Sequence, residues 1–171
     1  MSRLHKVYLG LGSNIDPEAN LPRAIEMLGD YGRVKEVSGA WESHAVGSEG
    51  PNFLNASVLI ETDIPPDALK GRLARPIETA LGRVRTADKN APRPIDIDVM
   101  LVDGEALNLD RWDSAFVLLP IAELLPDAPH PITHEPMHIA AERARRQTWI
   151  VERPGLLKPV REEPDPPTQQ P

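Results

Sequence analysis

Four cations, Arg83, Arg85, Lys89 and Arg93, fall within eleven residues and run directly into Ile95-Asp96-Ile97-Asp98-Val99. Side chains alternate along an extended strand, so Ile95, Ile97 and Val99 face one way and both aspartates the other. Their Cα atoms then lie about 6 to 7 Å apart, close enough for two carboxylates to converge on one divalent ion or to hold a pair. Hard oxygen ligands suit magnesium rather than zinc. The plainer reading is an amphipathic strand with a polar outer face, behind a solvated basic loop. Two considerations weigh against it. Aspartate is disfavoured in strands, and like charges on one face repel unless a cation relieves them. The chain is also acidic, 26 Asp and Glu against 19 Lys and Arg for a net charge of −7, which makes the basic cluster a local exception. A triphosphate explains that exception. Arginine forks grip phosphate oxygens in pairs, while magnesium on the carboxylates bridges other oxygens of the same group. Cations followed at once by a paired-Asp strand form a phosphoryl-transfer arrangement.

Other stretches are weaker. Phe53-Leu54-Asn55 puts an aromatic face and an amide on the same side of a strand, where a flat heterocycle could stack on Phe53 and be read by Asn55. His134-Glu135-Pro136-Met137-His138 matches H-E-x-x-H literally, but the zinc reading needs both histidines inside one helix. Pro136 belongs at or before a helix start, which leaves His134 outside. His5, His44 and His130 form no recognisable constellation. There is no G-x-x-x-x-G-K-[ST] loop, and LGLGSNI lacks the third glycine of a dinucleotide loop.

Elements that could position these residues follow from patterning. Val7 to Leu11 reads as a buried strand that turns out at Gly12-Ser13-Asn14. Asp16 and Pro17 open a helix whose stripe is Leu21, Ala24, Ile25 and Leu28. Strands follow around Val34 to Glu42 and from Phe53 to Glu61. A second helix opens at Pro65-Pro66-Asp67 and carries Leu69, Leu73, Ile77 and Leu81 on one face, with a kink or break expected at Pro76. Ile95 to Val102 is the strand that closes the core. Beyond it come a short apolar segment, Phe116 to Leu125, and a helix near Pro136 to Arg146. Strand, helix, strand, strand, helix, strand is the ferredoxin-like βαββαβ order, so the fold class expected is α+β with a mainly antiparallel sheet.

A chain of 171 residues, 40% hydrophobic, supports one core, filled by aliphatic side chains because only 4% of residues are aromatic. One domain is expected over residues 1–153. From Pro154 to 171 six of 18 residues are proline, which predicts an extended or disordered tail. The acidic balance argues against nucleic acid as a partner, no apolar run is long enough for a membrane span, and no signal peptide is recognisable. A cytoplasmic monomer is the expectation. The absence of cysteine excludes disulfides, thiolate nucleophiles and Cys-ligated metals.

GRVRTADKNAPRPIDIDVML is similar to the signature of the 6-hydroxymethyl-7,8-dihydropterin pyrophosphokinase family, in which arginines precede a P-R-x-[LI]-D-[LI]-D strand. YLGLGSNI, PNFLNASV, Glu78 and FVLLPIAEL extend the resemblance over approximately residues 5 to 145. The resemblance implies a ferredoxin-like fold and transfer of the pyrophosphoryl group of ATP to the hydroxymethyl group of a pterin, with AMP released, in folate biosynthesis. It implies that Asp96 and Asp98 hold two Mg2+ ions. Arg83, Lys89 and Arg93 would contact the ATP phosphates, with Arg85 and Glu78 on the nucleotide side. Phe53 and Phe116 would sandwich the pterin, and Asn55 with the backbone from Ser43 to Val46 would read its edge. Arg83, Arg93, Asp96 and Asp98 would form the catalytic set.

The chain departs from the family pattern at four places, one of them Pro76, in a helix that in the family helps bind ATP. Lys89-Asn90-Ala91 stands where R-W-G is usual, and Ser43-His44-Ala45 replaces a T-P-P-like stretch. The segment before Phe116 is shorter than the family loop that carries a proline-histidine pair and an arginine, so Arg111 or His130 would have to substitute. Two alternatives stay open at this level: a divergent member that binds pterin or nucleotide without turnover, and one that uses a different acceptor.

Overall fold

Val7, Leu9 and Leu11 alternate with Tyr8, Gly10 and Gly12, and this period of two makes His5–Ser13 (β1) a strand with one fully apolar face. In the computed structural model, which describes residues 2–47 and 49–162, β1 is an inner strand of a seven-stranded sheet. The remaining elements are α1 (Pro17–Leu28), β2 (Arg33–Val37), β3 (Ala40–Ser43), β4 (Phe53–Thr62), α2 (Arg75–Ala80), β5 (Asp96–Val102), β6 (Glu105–Ala106), α3 (Ala115–Leu124), α4 (Met137–Gln147) and β7 (Ile150–Arg153). The sheet order is β6-β5-β1-β4-β3-β7, with β2 also paired to β4, and the described pairings are antiparallel. With β2 and β3 taken as one interrupted strand, the inner order is fourth, first, third, second, the ferredoxin-like arrangement.

Several elements differ from their expected form. The strand expected over Val34 to Glu42 breaks at Ser38-Gly39, where the Ser38 amide donates to Ser57 O at 2.9 Å and the Ser57 amide to Ser38 Oγ at 2.8 Å. Asp16 stands at the start of α1, but in a left-handed conformation that makes no side-chain cap. The break expected at Pro76 is a wide π-helical turn over Lys70–Ala74, where the Arg75 amide reaches back to Lys70 O. Proline has no amide hydrogen and its ring crowds the preceding turn, which the wider turn accommodates. Leu69, Leu73 and Ile77 are nevertheless fully buried, as their spacing predicts. The apolar segment after Phe116 is a helix, α3, buried on nearly all sides. An element without a polar face has no helical period to read.

Two apolar clusters flank the sheet. α1 and the Leu69–Ile77 stretch cover the face formed by Val7, Leu9, Leu11, Val58 and Ile97. α3 and α4 cover part of the other face around Trp41, Met100 and Trp112. The uncovered end of that second face carries the candidate site. The chain expected as a tail from 154 stays fastened through 162: Val37 and Val160 exchange backbone hydrogen bonds at 2.8 and 3.0 Å, and Leu157 enters the first cluster. Residues 163–171 lie outside the described residues. No helix among the described residues is long and apolar enough to cross a membrane.

Candidate active site

The strand register assembles the site. Asp96 lies opposite Gly12 and Asp98 opposite Gly10, while Gly12 also pairs with Asn55 and Ser43 with Phe53. These residues therefore share one face of four adjacent strands. Glycine at position 12 leaves room beside the site, because a Cβ there would come within 3.3 Å of the Asn55 Oδ1 and press on it, and would touch Phe53 Cδ1 at 3.5 Å. The glycines make a flat floor on which Phe53 and the two carboxylates stand.

Glu78, on the α2 face turned toward β5, is buried and anchors the cations. It accepts hydrogen bonds from Arg83 Nη1 at 2.5 Å, Arg85 Nη2 at 2.9 Å and the Ile97 amide at 3.3 Å. Partners of this kind are what make a buried carboxylate tolerable. Arg83 Nη1 continues to Asp96 Oδ1 at 2.9 Å, Arg93 Nη1 lies 3.7 Å from Asp96 Oδ2, and Arg111 Nη1 lies 3.1 Å from Asp98 Oδ2. Burial, and after it the Asp96 charge, push the Asp98 carboxyl up from 3.8 to about 6; Arg111 and Arg83 pull the other way and Glu78 adds to the rise. Burial thus outweighs the nearby arginines at Asp98.

Two carboxylates on one strand face, lining both clefts, could hold a divalent cation. Among the described residues no three or more His, Cys, Asp or Glu side chains converge as a metal site. Two carboxylates suit magnesium, a cation that usually completes its shell with phosphate oxygens and water. The H-E-x-x-H match does not assemble: His134 lies before α4 with φ 64°, Pro136 occupies the cap position, and His138 alone is helical.

Two adjoining clefts of about 320 Å³ each meet at the aspartates. Ser43, Val46, Phe53, Asn55 and Phe116 line the first, and Glu78, Arg83 and Arg85 the second. Lys89, Arg93, Asp96, Asp98 and Arg111 line both. The residues singled out from sequence therefore come together, in two groups with a shared seam. Asn55 donates both amide hydrogens, to Trp41 O at 3.0 Å and Ser43 Oγ at 2.8 Å, so what it can offer a ligand is its acceptor Oδ1. The Ser43 hydroxyl, having accepted, can still donate.

Of the two proposed substitutes for the missing loop, Arg111 reaches the site and His130 does not. His130 is buried; its Nδ1 accepts the amides of Ile132 and Thr133 at 3.1 and 3.2 Å, which leaves Nε2 to donate to Trp112 O at 2.6 Å. The ring is a structural clamp on Trp112. Trp112, fully buried with Nε1 donating to Leu107 O at 2.8 Å, in turn fixes its neighbour Arg111.

Asn14, expected from sequence as a turn residue, also holds the cation loop. Its Oδ1 accepts the Arg93 amide at 2.8 Å, its amide donates to Arg93 O at 3.1 Å, and its Nδ2 donates to Pro51 O at 3.2 Å. It ties the cation loop to the chain entering β4. An asparagine that ends an apolar strand in LGLGSN is the signal that could have marked it.

The chain matches the family model described as 7,8-dihydro-6-hydroxymethylpterin-pyrophosphokinase (HPPK) over residues 8–126. The 2-amino-4-hydroxy-6-hydroxymethyldihydropteridine pyrophosphokinase of Methylorubrum extorquens is 39% identical over 134 residues, which span 71% of this chain and 84% of that protein. The Aquifex aeolicus protein of the same name is 34% identical over 143 residues, 77% of this chain and 87% of its own length. Among solved structures, a Plasmodium falciparum HPPK-DHPS crystallised with pterin and p-hydrobenzoate superposes with a TM-score of 0.62 at 11% identity, over 86% of this chain. The chain spans 46% of that longer protein, and the likeness at this identity concerns the fold. Motifs, register and relatives agree: the chain belongs to the 7,8-dihydro-6-hydroxymethylpterin-pyrophosphokinase family.

Proposed function

We propose that the chain transfers the pyrophosphoryl group of ATP to the hydroxymethyl group of 6-hydroxymethyl-7,8-dihydropterin, releasing AMP, in folate biosynthesis. The observation that carries this reading is the meeting of an aromatic-walled cleft and a cation-lined cleft at Asp96 and Asp98. The pterin stacks between Phe53 and Phe116 and is read by Asn55 Oδ1, Ser43 Oγ and the backbone up to Val46. The triphosphate lies along Arg83, Arg85, Lys89, Arg93 and Arg111, with Glu78 fixing the first two. Two Mg2+ ions on Asp96 and Asp98 would neutralise phosphate charge when bound with the nucleotide. The acceptor hydroxyl oxygen forms a bond to the β-phosphorus in line with the breaking bond to the α,β-bridging oxygen. AMP departs with that oxygen and the hydroxyl proton passes to solvent. The protein's part is to position both substrates and balance charge, without a covalent intermediate.

A monomer in the cytoplasm belongs to the same reading. The test is AMP release from ATP and magnesium with and without the hydroxymethylpterin. Release that depends on the pterin is expected; tight pterin binding with no AMP, or AMP formed equally without the pterin, overturns the reading.

A further inference from the structure

Trp149 lies between α4 and β7, beyond the residues 8–126 that match the family model. β7 pairs with β3 so that Ile150 faces Ser43, and this antiparallel register brings Trp149 beside His44. The two rings stack, centroids 4.3 Å apart and planes 16° from parallel. His44 Nδ1 lies 3.0 Å from Asn52 Oδ1, and Asn52 Nδ2 lies 3.4 Å from Glu42 Oε2, so the imidazole is held at its edge as well as on its face. His44 lines the aromatic-walled cleft next to Ser43, whose Oγ is bonded to Asn55. Trp149 is 41% exposed and belongs to neither apolar cluster, so core packing does not account for it.

We infer that Trp149 and His44 are a positioning pair for the acceptor: their stack fixes the Ser43–Val46 wall against which the pterin is held. Acceptor affinity is then set in part by the C-terminal strand. An exposed histidine has several rotamers, and the indole and the Asn52 amide select one, so the wall is formed before the acceptor arrives. This inference rests on the reading of that cleft as the pterin site.

The test is steady-state transfer by the full chain and its W149A, W149F, H44A and W149A/H44A variants. An aromatic stack of this kind corresponds to about a 3- to 10-fold change in affinity. W149A should raise the acceptor KM by that factor, leaving kcat and the ATP KM within about twofold. W149F, which keeps a flat ring, should stay near wild type, and the double variant should be no worse than W149A alone. An unmoved acceptor KM in W149A, equal losses for ATP and acceptor, or a W149F as impaired as W149A would overturn the pair. Absence of pterin-dependent transfer by the wild-type protein would instead overturn the functional reading and this inference with it.

Discussion

Asp98 and Phe53 are where single side chains make separable predictions. The folded protein keeps the Asp98 proton up to about pH 6, whereas an unfolded chain releases it near the ordinary value of 3.8. The folded state therefore binds more protons across that interval, and raising the pH from about 4 to 6 removes stability, at most about 3 kcal/mol from this group. D98N has no such proton to lose. In chelator and without nucleotide, its urea midpoint should gain on that of wild type between pH 4 and 6; parallel profiles would contradict the assignment. Phe53 tests the acceptor cleft. Stacking on an aromatic is worth about 1 to 3 kcal/mol per ring, so Phe53→Ala should weaken pterin binding roughly 10- to 100-fold by titration calorimetry. ATP affinity should hardly change, because Phe53 lines the acceptor cleft and not the cation-lined one. Equal losses for both ligands would sink the division of the site into two clefts.

Among the elements, the segment between β6 and α3 stands where the resemblance to the family implies a longer loop. Five extended residues reach at most about 18 Å, and a returning loop far less, so Arg111 to Ala115 cannot fold over a phosphate chain. The segment instead turns inward on Trp112 and delivers Arg111 to Asp98. In the proposed mode of binding the side facing the α-phosphate would keep Lys89 and Arg93 as its main cations, and charge developing on AMP would be less well stabilised there. Grafting a longer His- and Arg-bearing loop before Phe116 should raise kcat by about tenfold or more while changing ATP affinity by less. A graft that alters affinity alone, or a native rate equal to that of long-loop relatives, would contradict this. The elements that the sequence made legible are those with a period: the Asp96/Asp98 strand, the α1 stripe and the Leu69–Ile77 face. Those it hid lack one. α3 is apolar on nearly all sides, β7 has only four residues, and the Ser38-Gly39 break is held by a hydroxyl and backbone bonds made after the strands meet. Site residues were legible by type, but their partners were not. That Asn55 spends its donors on Trp41 and Ser43, and that Arg111 rather than His130 reaches the aspartates, depends on contacts distant in sequence.

For the whole molecule, a net charge of −7 coexists with six Lys and Arg side chains, Lys70 among them, gathered along one cleft. Such a local field draws a polyphosphate to one place while the rest of the surface stays acidic. Two helical layers cover the sheet and leave open the end where the two clefts share one seam. If the proposed function holds, two phosphoryl units cross this seam together. The direct measurement is phosphorus NMR of the reaction of the full chain with magnesium, ATP and 6-hydroxymethyl-7,8-dihydropterin. A pterin carrying a diphosphate and AMP should appear one for one, with ADP absent. ADP with a singly phosphorylated pterin, or ATP unchanged in the presence of bound pterin, would contradict the account.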